Sequence, residues 1–185
     1  GLYVPISLEK TSPAPPLTRA RVLAAAEAIT TATHRASDLR VPNDVMIGGK
    51  KAAGILAQLA DSAAIAGIGI NVNHRAFPPE LSEEATSLRL ESGRDQSREQ
   101  ILIELLPTVD RYVALLADSG PDPILELFSR RSTYASGKRV TVRQGDSILR
   151  GTTAGLNAAG FLVVRKDDGS DEIVLAGGVR AAGAG

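Results

Sequence analysis

The segment Val41–Leu56 constrains the fold of this chain more than any other stretch. It opens with Pro-Asn-Asp, continues through Val45–Ile47 to the glycine pair Gly48 and Gly49, and ends in small and aliphatic residues. A glycine pair between two apolar runs is typical of a β-hairpin, because glycine adopts the positive φ angles that a tight turn requires. We therefore predict a hairpin with strands over residues 45–47 and 53–58.

The sequence around this hairpin predicts both strands and helices. Residues 2–8, 39–41 and 63–70 are apolar enough for strands, and 63–70 is apolar on both faces, as in a strand inside a covered sheet. Apolar residues at helical spacing predict helices over about 18–33, from Ser97 onward and over 123–130. Residues 11–16 are predicted to form a loop, and 78–97 to be mostly loop with a helix cap at 82–87. For residues 1–134 we expect an α+β domain with a mixed sheet flanked by helices.

A different pattern begins after Ser136. Apolar and polar residues alternate with period two in four segments separated by glycine-containing turns, at 138–143, 147–156, 160–165 and 171–175. Short strands at this spacing predict a small antiparallel barrel of about SH3 size. We place the domain boundary at residue 135 and the end of the second domain at residue 181.

Composition excludes several kinds of function. The 185 residues carry a net charge of zero, so no overall field attracts nucleic acid or a membrane surface. The chain has no cysteine, which excludes disulfides and thiolate metal sites, and only two distant histidines, His34 and His74. No apolar run approaches the ~20 residues of a membrane helix, and no signal peptide is visible.

Lys51 is the strongest candidate for chemistry in the sequence alone. It follows the glycine turn and precedes small residues, which would let a ligand approach the backbone beside a fixed ammonium group. A solvated lysine on a hairpin is the competing interpretation. The segment is not a phosphate-binding P-loop, because Lys51 stands where that motif has serine or threonine.

Polar residues at two other places support a site nearby. Asn43 and Asp44 either form an Asx turn that starts the hairpin or present an amide and a carboxylate to a ligand. Residues 67–73 read Gly-Ile-Gly-Ile-Asn-Val-Asn, which lacks the third glycine of the dinucleotide fingerprint. The glycines are typical of close packing, while Asn71 offers the donor and acceptor that pair with adenine.

At these positions the chain resembles the biotin protein ligases, which attach biotin to carboxylase carrier domains. Residues 40–44 are similar to the family's Lys-Trp-Pro-Asn-Asp motif, 49–56 to its Lys-x-Ala-Gly-Ile-Leu strand, and 67–73 to its Gly-x-Gly-x-Asn-x-Asn strand. Ala85–Leu88 follows at the family's interval, and short motifs after residue 135 resemble the family's SH3-like C-terminal domain. The resemblance covers nearly all of the chain and rests on the order of these motifs.

The resemblance implies a two-step reaction that uses biotin, ATP and Mg²⁺. The biotin carboxylate attacks the α-phosphate of ATP to give biotinyl-5′-AMP, and a lysine of a biotin carboxyl carrier domain then takes the biotinyl group. By resemblance, Lys51 contacts the carboxyl and phosphate oxygens, and Asp44 orients or deprotonates the carrier lysine. The family's cytoplasmic location is expected too, and a homodimer through the sheet edge remains open.

The resemblance also implies the binding residues. The biotin site would use Lys51 and the strand residues Gly54, Ile55 and Leu56. The ATP or adenylate site would use amides, glycines and one arginine of the C-terminal domain, namely Asn43, Gly67, Gly69, Asn71 and Arg180. No side chain is assigned as a metal ligand.

Two departures from the family pattern stand out. Val41 replaces the motif's tryptophan, which is expected to remove ring area near the ligand, and Arg40 replaces its lysine. The family's Gly-Arg-Gly-Arg-x-Gly-Arg loop does not occur in the 185 residues and would precede Gly1. We therefore expect this polypeptide alone to form the adenylate inefficiently, which normal turnover in a pyrophosphate-release assay would contradict.

Two alternatives remain at this point. A lipoate or octanoate protein ligase would share the catalytic sheet and the lysine, although the Pro-Asn-Asp motif and the C-terminal strands favour biotin. A non-catalytic protein that binds a carrier domain or an adenylate is the other alternative. Retention of Lys51, Asp44 and Asn71 argues against it.

Overall fold

The fold is described by a computed structural model that covers residues 1–9, 14–60, 63–175 and 177–183. A first sheet has five strands, β1 (Leu2–Glu9), β2 (Asp38–Arg40), β3 (Asp44–Ile47), β4 (Lys50–Ala60) and β5 (Ala63–Ile70). Their order is β1-β5-β4-β3-β2, and each neighbouring pair is antiparallel. Parallel pairing in the described ranges is limited to an isolated bridge between Lys51 and Ala85.

Gly48 and Gly49 form the predicted turn between β3 and β4, with φ angles of 57° and 80°. One irregularity interrupts this hairpin. Val45 pairs with Ala53 but Met46 pairs with Lys51, so β4 carries one extra residue, Ala52. Such a bulge re-aims the side chains on either side of it.

Within the described residues, four α-helices accompany this sheet, α1 (Ala14–Thr33), α2 (Leu88–Ser92), α3 (Arg98–Ser119) and α4 (Pro121–Arg131), together with one turn of 3₁₀-helix at Pro79–Leu81. Helix α1 is buried along most of its length between the sheet and helices α3 and α4. Ser97 caps α3 as predicted, because its Oγ accepts a hydrogen bond from the Gln100 backbone N–H.

One sequence prediction about a loop was wrong. Helix α1 begins at Ala14, so the loop assigned to 11–16 does not extend over its last residues, while 11–13 lie outside the described residues. Prolines are tolerated there because backbone N–H groups in a first helical turn have no helical partner. Residues 78–97, predicted to be mostly loop with a helix cap, contain α2, which Ser87 caps by accepting from Leu90 N–H.

The second sheet follows α4 directly. Its strands are β6 (Ser136–Gln144), β7 (Ser147–Leu156), β8 (Leu162–Arg165), β9 (Asp171–Val174) and β10 (Gly178–Ala181), in the order β10-β6-β7-β8-β9. All described pairs are antiparallel. The helices and two sheets confirm the α+β class. The first sheet is antiparallel rather than mixed as predicted, because β2 to β5 follow one another in sequence and pair as neighbours. Barrel closure and the division into domains at residue 135 remain predictions.

Buried polar contacts join the two sheets. Arg19 of α1 donates to the carbonyl of Pro42 and, at 3.0 Å, to that of Gly160, and its guanidinium lies 5.1 Å from the Phe128 ring centre. Burial lowers the pKa of Arg19 to about 10, which leaves it cationic at neutral pH. One buried arginine therefore fixes the Pro42 turn, and with it the start of β3, against the second sheet.

A second contact lies on the other side of the β2 strand. Asp38 accepts hydrogen bonds from the backbone N–H and the hydroxyl of Thr133, at 2.8 and 2.5 Å. The Ser132 hydroxyl donates to the Leu39 carbonyl at 2.5 Å. The segment that leads into β6 is thus bound to the strand that carries Arg40.

No described helix is both long and apolar enough to cross a lipid bilayer.

Candidate active site

Three charged side chains meet where β2 turns into β3. Lys51 Nζ lies 2.6 Å from Asp44 Oδ1, and Arg40 donates to Asp44 Oδ2 from Nε at 3.1 Å and from Nη2 at 2.8 Å. The Asp44 and Arg40 side chains are only 10% and 15% exposed, whereas that of Lys51 is 41% exposed. Lys51 is therefore the member free to turn toward a ligand, while Arg40 holds the carboxylate in place.

Gly54 provides the space in which the Lys51 side chain lies. It sits opposite Asp44 in the strand pairing, and a Cβ at Gly54 would lie 2.8 Å from Lys51 Cε and 2.9 Å from Nζ. Residues three apart on a regular strand face opposite sides of a sheet. The bulge at the extra residue Ala52 shifts this alternation by one position, so that Lys51 and Gly54 lie on the same face of the sheet.

The backbone of Lys51 is held on its other side by the segment that precedes α2. Its N–H donates to the Glu84 carbonyl at 2.8 Å, and its carbonyl accepts from Thr86 N–H at 2.9 Å. The amide of Asn71 adds hydrogen bonds to the carbonyls of Thr86, at 3.1 Å, and Lys51, at 3.5 Å. The lysine backbone is thereby held in place, while its side chain is paired with Asp44 and 41% exposed.

These groups line one open groove of about 500 Å³ on the face of the first sheet opposite α1. Lys51 and Gly54 form its centre, and Leu56, which is 66% exposed, adds apolar surface. The lining also includes Tyr3, the two asparagines Asn43 and Asn71, and Gly69. An ammonium, amides, open backbone and apolar surface are what a bound acyl-adenylate requires.

The sequence is similar to those of known biotin protein ligases. The family model for the biotin protein ligase C-terminal domain matches residues 135–179. The bifunctional ligase/repressor BirA of Bacillus spizizenii is 30% identical over 178 residues, which is 92% of this chain and 54% of that protein. The biotin–[acetyl-CoA-carboxylase] ligase of Mycobacterium tuberculosis is 29% identical over 140 residues, covering 76% of this chain and 51% of that protein.

A solved structure shows the same fold over nearly the whole chain. The biotin protein ligase from Aquifex aeolicus in complex with biotin and ATP aligns with a TM-score of 0.83 and 25% identity, over 96% of this chain and 77% of that chain. The chain is therefore similar to biotin protein ligases over nearly its whole length. It spans about half the length of the curated relatives that it matches.

Within this biotin protein ligase fold, most of the predicted site residues come together. Lys51, Asp44 and Gly54 are in direct proximity. The groove of Lys51 also contains the predicted residues Leu56, Asn43, Gly69 and Asn71. Their roles toward biotin and ATP remain predictions.

Three predicted ligand contacts are placed elsewhere. Gly67 does not line the groove because the Tyr3 side chain covers it; a Cβ there would lie 2.2 Å from the Tyr3 hydroxyl. Ile55 has a buried side chain, and its backbone N–H and carbonyl both bond to Asn43, at 2.9 and 2.6 Å. Arg180 lines a separate cavity and donates to Glu84 Oε2 at 2.9 Å.

Val41, which stands where the biotin protein ligase motif has tryptophan, is only 1% exposed. It lines a cavity on the α1 side of the sheet together with Phe161 and Leu175, which flank strands β8 and β9 of the second sheet. The Lys51 groove does not include it. The expected loss of ring area therefore falls outside the groove that contains Lys51.

Three residues that shape the site are not among those predicted from the sequence. Arg40 was considered only as a departure from the motif, although an arginine four residues before a buried aspartate across a turn signals an ion pair. Tyr3 had a signal as well, since an aromatic residue on a neighbouring strand often covers paired glycines. Glu84 had no local signal, because its contact with Lys51 joins distant segments.

Gly54→Ala tests the packing at the centre of the groove. The new Cβ would occupy the place of Lys51 Cε and displace the ammonium from Asp44. Because the displaced atoms end a flexible side chain, we expect little change in thermal stability but a fall in adenylate formation of at least about tenfold. Gly178→Ala is the matched control, since no atom lies within 4 Å of its added Cβ. Equal rates for the two variants would contradict this role of Gly54.

Proposed function

We propose that this chain carries the groove that forms biotinyl-5′-AMP from biotin and ATP and transfers the biotinyl group to a carrier lysine. The observation that carries the proposal is the Lys51 ammonium, paired with Asp44 and lying over Gly54. The groove that this lysine lines also contains glycine backbone and the side chains of two asparagines. An enzyme of this kind is an ATP-dependent ligase.

In the first step, a biotin carboxylate oxygen attacks the α-phosphorus of ATP, and the bond from that phosphorus to the pyrophosphate oxygen breaks. Negative charge grows on the phosphoryl oxygens in the transition state. Lys51 turns from Asp44 toward these oxygens and stabilises them, which its mobile side chain on a fixed backbone permits. Arg40 keeps Asp44 paired while Lys51 is engaged.

In the second step, the carrier lysine nitrogen attacks the acyl carbon, and the bond from that carbon to the AMP oxygen breaks. The amine must be neutral to attack. With Lys51 turned to the phosphate, Asp44 Oδ1 becomes available to accept the amine proton, while Oδ2 stays bound to Arg40. The same carboxylate thus serves as the resting partner of Lys51 and as the base for the acceptor.

The ligand positions follow from the groove lining. Asn43 and Asn71 already use their amide nitrogens within the protein, so each offers its carbonyl oxygen to the adenine amino group. Gly69 lets the adenylate lie against the backbone. Gly54 and Leu56 line the biotin side, with Leu56 supplying apolar contact. The backbone of Ile55, whose groups are both bonded to Asn43, supports this strand rather than the ligand.

Mg²⁺ would enter this reaction with the nucleotide. The described residues contain no group of three or more His, Asp or Glu side chains that could hold a metal ion. Both oxygens of Asp44 are bound to cations of the protein. These residues do not fit a metal site held by the protein alone, so the phosphates of ATP would carry the ion.

The macromolecular partner in this proposal is the biotin carboxyl carrier domain of a carboxylase, recognised through its acceptor lysine. A cytoplasmic location and a homodimer through the edge of the first sheet remain predictions.

The choice between biotin and other acyl groups is tested by supplying the full-length protein with ATP and either labelled biotin or labelled lipoate and octanoate. We expect biotin to label a biotin carboxyl carrier domain, and lipoate and octanoate to label neither this domain nor a lipoyl domain. Labelling of a lipoyl domain instead would identify a lipoate or octanoate ligase. Labelling of neither domain would favour a non-catalytic binding protein.

A further inference from the structure

Arg180 of β10 does not face the groove of Lys51. Its guanidinium donates to Glu84 Oε2 at 2.9 Å, and both residues line a cavity of about 410 Å³ between the two sheets, together with Arg40 and Tyr134. The arginine therefore already has a carboxylate partner, and this partner belongs to the segment that precedes α2.

The same segment, which contains Glu84 and Thr86, forms hydrogen bonds with both backbone groups of Lys51. The carbonyl of Glu84 accepts the Lys51 N–H at 2.8 Å, and Thr86 N–H donates to the Lys51 carbonyl at 2.9 Å. The same residue, Glu84, thus binds Arg180 through its side chain and Lys51 through its backbone. A path of two hydrogen bonds leads from the second sheet to the lysine.

We infer that Arg180 is a positioning residue for Lys51, acting through Glu84, rather than a ligand of the ATP phosphates. This inference rests on the proposed function of Lys51. By holding Glu84, the second sheet fixes the strand position from which the lysine side chain reaches the reacting oxygens. A loosened Glu84 would lower the fraction of time that Lys51 spends in reach of them, while the nucleotide contacts stay unchanged.

The expected loss of kcat depends on how exposed the ion pair between Arg180 and Glu84 is. The Arg180 and Glu84 side chains are 65% and 44% exposed, so water and salt screen their attraction. The backbone hydrogen bonds to Lys51 do not involve the side chains of this pair, so we expect them to remain when the pair is broken. We therefore expect a fall of about twofold to fivefold in kcat for adenylate formation, weaker at high salt, with the KM for ATP unchanged.

A double-mutant cycle with Arg180→Ala and Glu84→Ala in the full-length protein tests the inference through biotin-dependent pyrophosphate release. Each single variant is expected to show the fall in kcat, and the double variant to be no slower than either single one. The exchange of charges in Arg180→Glu with Glu84→Arg is expected to restore most of the rate. Arg139→Ala breaks a comparable exposed pair, with Asp167, on the same sheet and is expected to leave the rate unchanged.

Three results would overturn the inference. The first is a rise in the KM for ATP in Arg180→Ala whether or not Glu84 is present, which would mean a direct phosphate contact. The second is a double variant in which the two losses multiply. The third is an unchanged rate in Arg180→Ala while the unaltered protein is active. An unaltered protein that shows no biotin-dependent pyrophosphate release would instead refute the proposed function itself.

Discussion

Lys51→Ala in the full-length protein is expected to lower the rate of biotinyl-5′-AMP formation by about 10²- to 10³-fold, the usual cost of removing one group that stabilises developing oxyanion charge. Among the described residues that line the groove, Lys51 is the only one with a basic side chain. Its side chain is 41% exposed and contributes little to the core, so the fold should be retained. The rate is measured as biotin-dependent exchange of pyrophosphate into ATP.

The matched control for this variant is Lys166→Ala. Lys166 has a similar exposure of 36% and also lies near carboxylates, those of Asp168 and Glu172, but on the second sheet. We expect the control to keep its exchange rate within about twofold, as for other exposed ion pairs. An exchange rate in Lys51→Ala that equals the control would remove the lysine from the chemistry.

Asp44→Asn is expected to separate the two steps of the reaction. Asparagine keeps the shape of the side chain but cannot accept the proton of the carrier lysine, so transfer should fall by about 10²-fold or more. Adenylate formation should fall less, because Lys51 remains. Transfer is measured in a single turnover from preformed biotinyl-5′-AMP to the carrier domain.

Hydroxylamine provides the control for this second variant. It is a neutral nucleophile near pH 7 and needs no base to become reactive, so its reaction with the bound adenylate should be nearly equal in Asp44→Asn and in the unaltered protein. An equally large loss with hydroxylamine and with the carrier lysine would show that Asp44 does not act as the base for the acceptor.

Much of the fold follows from local sequence patterns. The hairpin around Gly48 and Gly49, the Ser97 cap and the period-two strands after residue 136 were all predicted, because turn and cap residues act within a few positions. The start of α1 was not predicted. Its prolines suggested a loop, because proline breaks the interior of a helix, but proline is tolerated in a first helical turn.

The site was predicted less completely, and the reason is the bulge at Ala52. A regular strand would place Lys51 and Gly54 on opposite faces, so local sequence cannot show that they touch. The roles of Gly67 and Ile55 depend on contacts with Tyr3 and Asn43 from other strands. Side-chain identity indicated the chemistry, while tertiary contacts decided which residues face the groove.

The central claim is that the Lys51 groove makes and holds an acyl-adenylate of biotin. The most direct measurement incubates the full-length protein with biotin and α-labelled ATP, without a carrier, and separates the protein-bound label by chromatography. We predict bound biotinyl-5′-AMP on the unaltered protein and almost none on Lys51→Ala. Unchanged ATP alone, or an equal amount of adenylate on both proteins, would contradict the claim.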